Sequence, residues 1–262
     1  MSDGGMALAN VAVVLVEPSH PGNIGATARA MKTMGLRRLR LVAPAQFPHA
    51  EASARASGAT DLLAAAEVFP DLASALADTR WVTATTARAR ELSIPAREPE
   101  AAAGELVAQA TAGGLAAIVF GRESHGLSNP ELDLCNRLVH IPTAEDYSSL
   151  NLAQAVQVLT YELRRAAVTG EPPAAGELPA GGAILADLFG HWDRVVRDVG
   201  FLNPQNPERT FRRFRQLVLR AAPTEAEVMF LRGFLSAIEK RIHGPRRRPG
   251  KGKQGDGDGG ES

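Results

Sequence analysis

The sequence predicts an α/β fold in which a parallel sheet is flanked by helices, followed by a small all-helical extension. Two observations favour it. Five short apolar runs alternate with longer segments of helical spacing, which is typical of a parallel sheet. A stretch rich in Pro, Gly and Ala then separates this alternation from three more helical segments. With 262 residues, the chain is long enough for one medium-sized domain and an appendage.

The five predicted strands are too short to be helices and are almost continuously apolar, as buried parallel strands are. They cover residues 11–16, 39–42, 81–85, 115–120 and 138–141. Residues 22–35, 98–112 and 149–168 have the three- and four-residue apolar spacing of helices. Gly35 is suited to end the first of these helices in a left-handed conformation.

The domain boundaries follow from shifts in composition. We expect a first domain over 1–168 and a linker over 169–182, where Pro, Gly and Ala dominate without an apolar period. The extension covers 183–243 and contains predicted helices over 183–199, 208–220 and 224–242. Thr224 and Glu227 form a capping-box pattern before the last helix. The basic, Gly-rich tail over 244–262 is predicted to be disordered.

Composition excludes several classes of protein. The 29 basic and 29 acidic residues leave no net charge, so composition alone does not indicate nucleic acid. The single cysteine, Cys135, is interpreted as a small buried hydrophobe in a protein of the reducing cytoplasm. We expect no signal peptide and no membrane span, because no apolar run approaches ~18 residues. The six histidines lack i,i+4 pairs and cysteine partners, so no metal site is expected.

Three polar segments each follow a predicted strand: residues 17–35, 121–132 and 141–163. Ligands of open α/β sheets bind at the carboxyl ends of strands, so these segments could converge on one pocket. The alternative is three well-made turns, in which Pro and Gly bend the chain and Asn or Ser caps a helix. No G-x-G-x-x-G or Walker-type glycine loop is present, which argues against the common nucleotide sites.

Taken together, the three segments resemble the motifs of the SpoU/TrmH-like (SPOUT class) RNA ribose 2′-O-methyltransferases. The first segment carries N-x-G-x-x-x-R from Asn23 to Arg29, and the second carries G-R-E-x-x-G-L from Gly121 to Leu127. The third carries Ile141 and Pro142, followed by Ser149, Leu150 and Asn151. The resemblance covers about residues 10–167 and places the start of the catalytic domain at about Val11.

This resemblance implies a C-terminal trefoil knot, a homodimer and S-adenosylmethionine as cofactor. The 149–168 helix is apolar on more than one face, which fits either a dimer interface or burial within a monomer. The implied cofactor contacts are Thr86, Ala87, Arg88, Gly121, Ile141, Ser148, Ser149 and Leu150. Gly121 suits this role because a missing Cβ lets backbone approach a ligand closely.

The resemblance also implies catalytic roles for Arg29, Asn23, Ser149 and Glu123. Arg29 corresponds to the arginine that the family places near the ribose 2′-hydroxyl. A guanidinium keeps its proton near neutral pH. Binding an RNA phosphate is therefore a more favourable role for Arg29 than acting as a general base. Asn23 would orient Arg29 or the substrate, and Ser149 would hydrogen-bond near the hydroxyl. Glu123 would fix its own loop, pair with Arg29 across a dimer interface, or form a surface ion pair with Arg122.

Within the extension, residues 197–241 resemble the corresponding segment of the TrmJ-type tRNA (cytidine/uridine-2′-O-)-methyltransferases. This resemblance implies methylation at nucleotide 32 of the anticodon loop. Its 208–220 helix is predicted to present a basic outer face to RNA phosphates. The candidate RNA contacts there are Arg209, Arg212, Arg213 and Arg220, with Arg29 in the catalytic domain. Two alternatives remain: a ribosomal RNA 2′-O-methyltransferase of the same class, or a non-catalytic RNA-binding module.

Overall fold

A computed structural model describes residues 3–86, 96–144, 146, 149–169, 177–202 and 205–244. In chain order, its helices are α1 (Asp3–Ala9), α2 (Pro21–Met34), α3 (Ala50–Ala56), α4 (Thr60–Ala64), α5 (Leu72–Ala75), α6 (Pro99–Thr111), α7 (Asn129–Leu132), α8 (Leu152–Thr169), α9 (Gly182–Asp198), α10 (Pro207–Ala221) and α11 (Glu225–His243). Its strands are β1 (Val11–Val16), β2 (Arg38–Val42), β3 (Glu67–Phe69), β4 (Trp81–Thr85), β5 (Ala96–Arg97), β6 (Ala116–Phe120) and β7 (Arg137–Val139).

The strands form one sheet in the order β3-β2-β1-β6-β4-β7-β5, and every pairing in it is parallel. This confirms the predicted α/β class. All five predicted strands are present, although the last one ends at Val139 rather than at Ile141. The short edge strands β3 and β5 were not predicted. Side chains along β1 alternate between two buried layers, which explains why the whole strand is apolar.

The two faces of the sheet have separate cores. Val11, Val13 and Leu15 pack with the apolar sides of α1, α2, α6 and α8. The opposite face carries Val14, Leu132 and Cys135, beneath the short helices α5 and α7. Cys135 is completely buried there, and burial raises the pKa of its thiol. Its interpretation as a small buried hydrophobe is confirmed.

The core of the sheet domain includes a helix that precedes the first strand. Helix α1 precedes the first strand and contacts α6 and α8. Leu8 is fully buried in the core of that face, so α1 is an integral part of it. Sequence analysis missed α1 because seven residues give less than two helical turns of periodicity.

The extension has a small core of its own, in which α9 packs against α11 and Trp192 stacks on Phe214 with ring centroids 3.5 Å apart. The three predicted helices are confirmed, with ends shifted by one residue. The C-terminal end of the predicted linker belongs to the packed extension. Ala180 is buried there, and its amide donates to the carbonyl oxygen of Pro223 at 2.7 Å. Residues 170–176 and the predicted tail beyond Gly244 lie outside the described residues.

The trefoil knot implied by the family resemblance stays a prediction. Within the described ranges, we find no helix with the length and apolar character to cross a membrane.

Candidate functional site

A cavity of about 320 Å³ lies at the carboxyl edge of β4, β6 and β7. Two of the three predicted segments, those after β6 and β7, line it directly. The first segment, after β1, does not reach the cavity surface, but its side chains bind the loop that forms one wall. The lining residues are Thr85, Thr86, Phe120, Gly121, Arg122, Glu123, Ser124, His125, Gly126, Leu127, Leu132, Val139, Ile141, Thr143, Ser149, Leu150, Leu152 and Ala155.

Glu123 joins the three segments. Its carboxylate accepts hydrogen bonds from the amide and hydroxyl of Ser19, at 3.2 and 3.0 Å, and from the Asn23 amide at 3.2 Å. Asn23 in turn accepts from the side-chain amide of Asn151 at 3.0 Å. Partial burial opposes ionisation of Glu123, but donors on its own backbone, Asn23 and Ser19 lower the pKa of its carboxyl. Glu123 is therefore held as a carboxylate that fixes the loop after β6.

Arg122 forms a second link between segments. Its guanidinium binds the Glu17 carboxylate on one side and the Glu131 carboxylate on the other, with two nitrogen–oxygen distances of 2.9 Å to Glu131. Glu17 and then Glu131 raise the pKa of Arg122. The expected alternative of an Arg122–Glu123 surface pair is wrong, because Arg122 is occupied by these other two carboxylates. Glu17 and Ser19 were not among the predicted site residues, although both lie in the first segment.

Gly121 is required by the fold of its own loop. A Cβ added at Gly121 would lie 2.4 Å from the carbonyl carbon of Gly126 and 2.5 Å from the amide nitrogen of Leu127. These backbone atoms close the loop, since Arg122 and Gly126 form an antiparallel bridge and Gly126 has a φ of 70°. The sequence predicted glycine here because backbone could approach a ligand closely. Steric closure of the loop is a second reason for glycine at this position.

The structure brings five of the eight predicted cofactor contacts together: Thr86, Gly121, Ile141, Ser149 and Leu150 all line the cavity. Ala87, Arg88 and Ser148 lie outside the described residues. Sequence analysis missed Thr85, Thr143 and His125 as lining residues. The hydroxyl of Ser124 lies 2.7 Å from Nδ1 of His125 at the same wall.

Arg29 lies apart from the cavity. It is exposed on α2, six residues beyond Asn23 and therefore ~9 Å further along the helix axis. Arg29 and Glu123 form no pair within this chain in the residues described. Two predicted catalytic residues, Asn23 and Glu123, are in direct contact, whereas Arg29 faces solvent further along α2.

The basic face of α10 differs from the prediction. Arg209, Arg213 and Arg220 are exposed, as an RNA-binding face requires. Placing Arg212 on that face is wrong, because its Nε donates to the buried Asp133 carboxylate at 2.8 Å. The neighbouring Gln216 is also buried, whereas Leu217 is exposed. Among the described His, Cys, Asp and Glu side chains, no group is arranged to hold a metal ion.

Lowering the pH should destabilise this site. The pKa values of Glu17 and Glu131 are lowered, in Glu131 by Arg122 and Ser128 against the effect of burial. Stability from a lowered carboxyl pKa is complete above the unfolded value, near 4.5, and is lost as pH falls through the folded value. Wild type should therefore lose more thermal stability below pH 4.5 than Glu131→Gln does. At pH 6, we expect the melting temperature of wild type to exceed that of Glu131→Gln by about 2–4 °C, measured by circular dichroism. The difference is small because solvent partly screens such ion pairs.

The matched control for this prediction is Glu208→Gln, which removes an exposed carboxylate from α10. Its pH profile should follow that of wild type. Parallel curves for wild type and Glu131→Gln would contradict the prediction.

Comparisons with known proteins cover nearly the whole chain. The model of the SpoU rRNA methylase family matches residues 10–161, and that of the C-terminal domain of tRNA methyltransferase TrmJ matches residues 184–247. The chain is 44% identical to the tRNA (cytidine/uridine/adenosine-2′-O-)-methyltransferase TrmJ of Pseudomonas aeruginosa, over 90% of this chain and 96% of that protein. It is 43% identical to the tRNA (cytidine/uridine-2′-O-)-methyltransferase TrmJ of Cronobacter sakazakii, over 88% and 97%.

Among solved structures, the crystal structure of TrmJ from Z. mobilis ZM4 superimposes with a TM-score of 0.77 and 36% identity. The match covers 87% of this chain and 99% of that one. Similarity therefore extends through both the sheet domain and the helical extension.

Proposed function

Since the chain belongs to the SpoU rRNA methylase family and carries a TrmJ-type C-terminal domain, we propose that it methylates a ribose 2′-hydroxyl of tRNA with S-adenosylmethionine. The nucleotide is cytidine or uridine 32 of the anticodon loop, and the reaction takes place in the cytoplasm. The observation that carries the proposal is the contact of all three motif segments through Glu123, at the wall of one cavity.

The cavity fits a cationic methyl donor. Its volume, about 320 Å³, lies in the range of small-molecule sites. Its lining combines polar side chains, such as Thr85 at the end of β4, with apolar ones, such as Val139 of β7 and Leu152 of α8, which suits a molecule with both an adenine ring and a charged chain. Arg122 and Glu123 also line the cavity, and the Arg122 guanidinium is paired with the carboxylates of Glu17 and Glu131 behind the wall, which leaves the Glu123 carboxylate without a cationic partner among these groups. This excess of negative charge favours a sulfonium.

Each residue has a part in holding the reactants. When bound, S-adenosylmethionine would supply the methyl group to the ribose oxygen in an in-line displacement, with S-adenosylhomocysteine as the leaving group and the hydroxyl proton passing to the RNA phosphate or to water. Thr86, Ile141 and Leu150 bind the donor, and the Gly121 loop closes over it. Arg29, exposed on α2 six residues beyond Asn23, holds an RNA phosphate and orients the 2′-hydroxyl. Asn23 and Ser149 position the acceptor, so that catalysis rests on alignment and exclusion of water.

The exposed arginines of α10 bind tRNA phosphates. Replacing Arg213 and Arg220 together with Gln should weaken tRNA binding about tenfold at low salt, because each lost phosphate contact removes counterion release. The slope of log affinity against log salt should also become less steep, by about 0.7–0.9 per lost contact. Filter binding across a salt series measures both. A charge-matched control replaces the exposed Arg37 and Arg194 with Gln; equal losses in both variants would count against a specific face.

A homodimer explains the outer face of α8. Val158, Tyr161 and Val168 lie on its exposed side, and Leu150 precedes them on the loop at the cavity. Exposed apolar side chains in a row are typical of an interface. The mass of the full chain in solution, from sedimentation equilibrium, tests this assignment.

The function itself is tested with purified full-length protein, labelled S-adenosylmethionine and two acceptors, unmodified tRNA and ribosomal RNA. We expect label in tRNA only, and nuclease mapping should find it at nucleotide 32. A tRNA that already carries a 2′-O-methyl group at this position is the matched control and should accept nothing. Label in ribosomal RNA alone would support the other substrate, and donor-independent RNA binding without transfer would indicate a non-catalytic module.

A further inference from the structure

The inner face of α10 binds the catalytic domain at a buried carboxylate. Asp133, 6% exposed, ends α7 and accepts hydrogen bonds from Nε of Arg212 at 2.8 Å and from the side-chain amide of Gln216 at 3.1 Å. A carboxylate buried in this way is costly unless it is paired and hydrogen-bonded. Both of these partners come from the extension. The position of α10 and the position of the end of α7 therefore depend on each other.

Helix α7 is also part of the cavity wall. Leu132, next to Asp133, lines the cavity, and Glu131 holds the Arg122 guanidinium through two hydrogen bonds. The amide of Ser128 donates to Glu131 at 2.6 Å and completes a capping box. A displacement of α7 would thus move both an apolar wall residue and the arginine that ties this loop to Glu17.

A second buried contact joins the catalytic domain to α10 at Leu219, three residues beyond Gln216. Asn136, 3% exposed, accepts from the amide of Val82 at 2.8 Å and donates to the carbonyl oxygen of Leu219 at 3.1 Å. Val82 belongs to β4, whose end supplies Thr85 to the cavity. The extension therefore holds two walls of the cavity, through α7 and through β4.

Apolar packing between the two parts is incomplete at this place. An apolar cavity of about 140 Å³ separates Leu76 and Leu134 of the catalytic domain from Leu185 and Phe189 of α9. Loosely packed apolar surfaces do not fix a unique position. The hydrogen bonds of Asp133 and Asn136 therefore contribute more than apolar packing to fixing the position of α10.

We propose that Asp133 is a positioning residue for the methyl-donor site, through which Arg212 and Gln216 of the extension hold the loop after β6 in its binding geometry. This inference rests on the proposed function. The two faces of α10 then have different tasks: the outer arginines bind RNA, and the inner pair shapes the donor cavity. Arg212 therefore affects binding of the methyl donor through Asp133, although the sequence around Arg212 predicts an RNA contact.

Two substitutions in the full-length chain test the proposal, Asp133→Asn, which keeps the side-chain volume, and Arg212→Gln, which keeps a side-chain amide donor. Each removes one charge of the pair, and circular dichroism at the assay temperature checks that each variant is folded before its binding is measured. Donor affinity is measured by calorimetry without RNA. The KM for the donor and kcat are measured in methyl-transfer assays with tRNA. We expect each variant to weaken donor binding about three- to tenfold and to raise the KM for donor in parallel, with kcat at saturating donor within about twofold.

The matched control is Arg213→Gln on the outer face, one residue away from Arg212. It should weaken tRNA binding and leave donor affinity unchanged. The Asp133→Asn and Arg212→Gln double variant should bind donor about as well as either single variant, because both act on one contact. Donor affinity equal to that of wild type in the single variants, or additive losses in the double, would overturn the proposal. Absence of donor binding in wild type would instead contradict the proposed function.

Discussion

Replacing Arg29 with alanine should lower kcat for tRNA methylation at least about a hundredfold and leave donor affinity within about twofold. Arg29 is exposed on α2 and does not line the cavity, so its loss removes no donor contact. In the proposed mechanism it holds the RNA phosphate beside the reacting hydroxyl. Removing one well-placed hydrogen-bonding group from an active site typically lowers turnover by ~10²–10³. Single-turnover transfer of a labelled methyl group, with calorimetry of the donor, separates the two effects.

Two controls sharpen the Arg29 experiment. Arg37→Ala removes an exposed arginine a few residues further along the chain and should change neither value. Arg29→Lys keeps the charge but loses the planar fork, so it should recover only part of the activity. Retained turnover in Arg29→Ala would refute the assigned role, and a parallel loss of donor affinity would show that Arg29 acts on the cavity instead.

Replacing Gly121 with alanine should weaken donor binding at least about tenfold and lower thermal stability. The added Cβ would lie 2.4 Å from the Gly126 carbonyl carbon, and this backbone cannot give way as a flexible side chain does. Overpacking of this kind typically costs ~1–3 kcal/mol. Because Gly121, Arg122 and Glu123 are consecutive, any shift at Gly121 also disturbs the contacts of Arg122 and Glu123. Calorimetry with the donor and thermal unfolding measure the two losses.

Gly104 provides the matched control for Gly121. It lies inside α6, where an added Cβ meets no atom within 4 Å. Gly104→Ala should therefore leave donor binding unchanged and raise stability slightly, since alanine is the better helix former by ~1 kcal/mol. Wild-type donor affinity in Gly121→Ala would show that the loop tolerates opening, against the geometry described above.

Sequence patterns predicted the central strands because buried parallel strands impose a continuous apolar run, as in Val11–Val16. They missed β3 and β5, which have three and two residues, because runs of that length have no measurable period. Burial along α10 also departs from what polarity would indicate at two positions. Gln216 is polar and Leu217 is apolar, yet Gln216 is buried on Asp133 and Leu217 faces solvent. A helical pattern cannot reveal which polar residue has a buried partner 83 residues away.

The candidate site was predicted from its motifs, but its internal contacts were not. The pattern around Glu123 indicated a functional loop, whereas its partners Ser19 and Asn23 lie about 100 residues before it, and Asn151, which donates to Asn23, lies 28 residues after it. Such pairings depend on strand order, which places β1 next to β6. For Gly121, its neighbour across the loop, and not the motif, supplies the steric reason for glycine.

The burial of Cys135 makes this protein convenient for site-specific labelling. It is the only cysteine of the sequence, it is fully buried, and its thiol resists ionisation, so maleimide reagents and disulfide exchange should not reach it in the folded state. One cysteine introduced on the outer face of α10 would then carry a fluorophore or spin probe alone, without removal of the native residue. Distances from such a probe to RNA could be read directly in the otherwise unaltered chain.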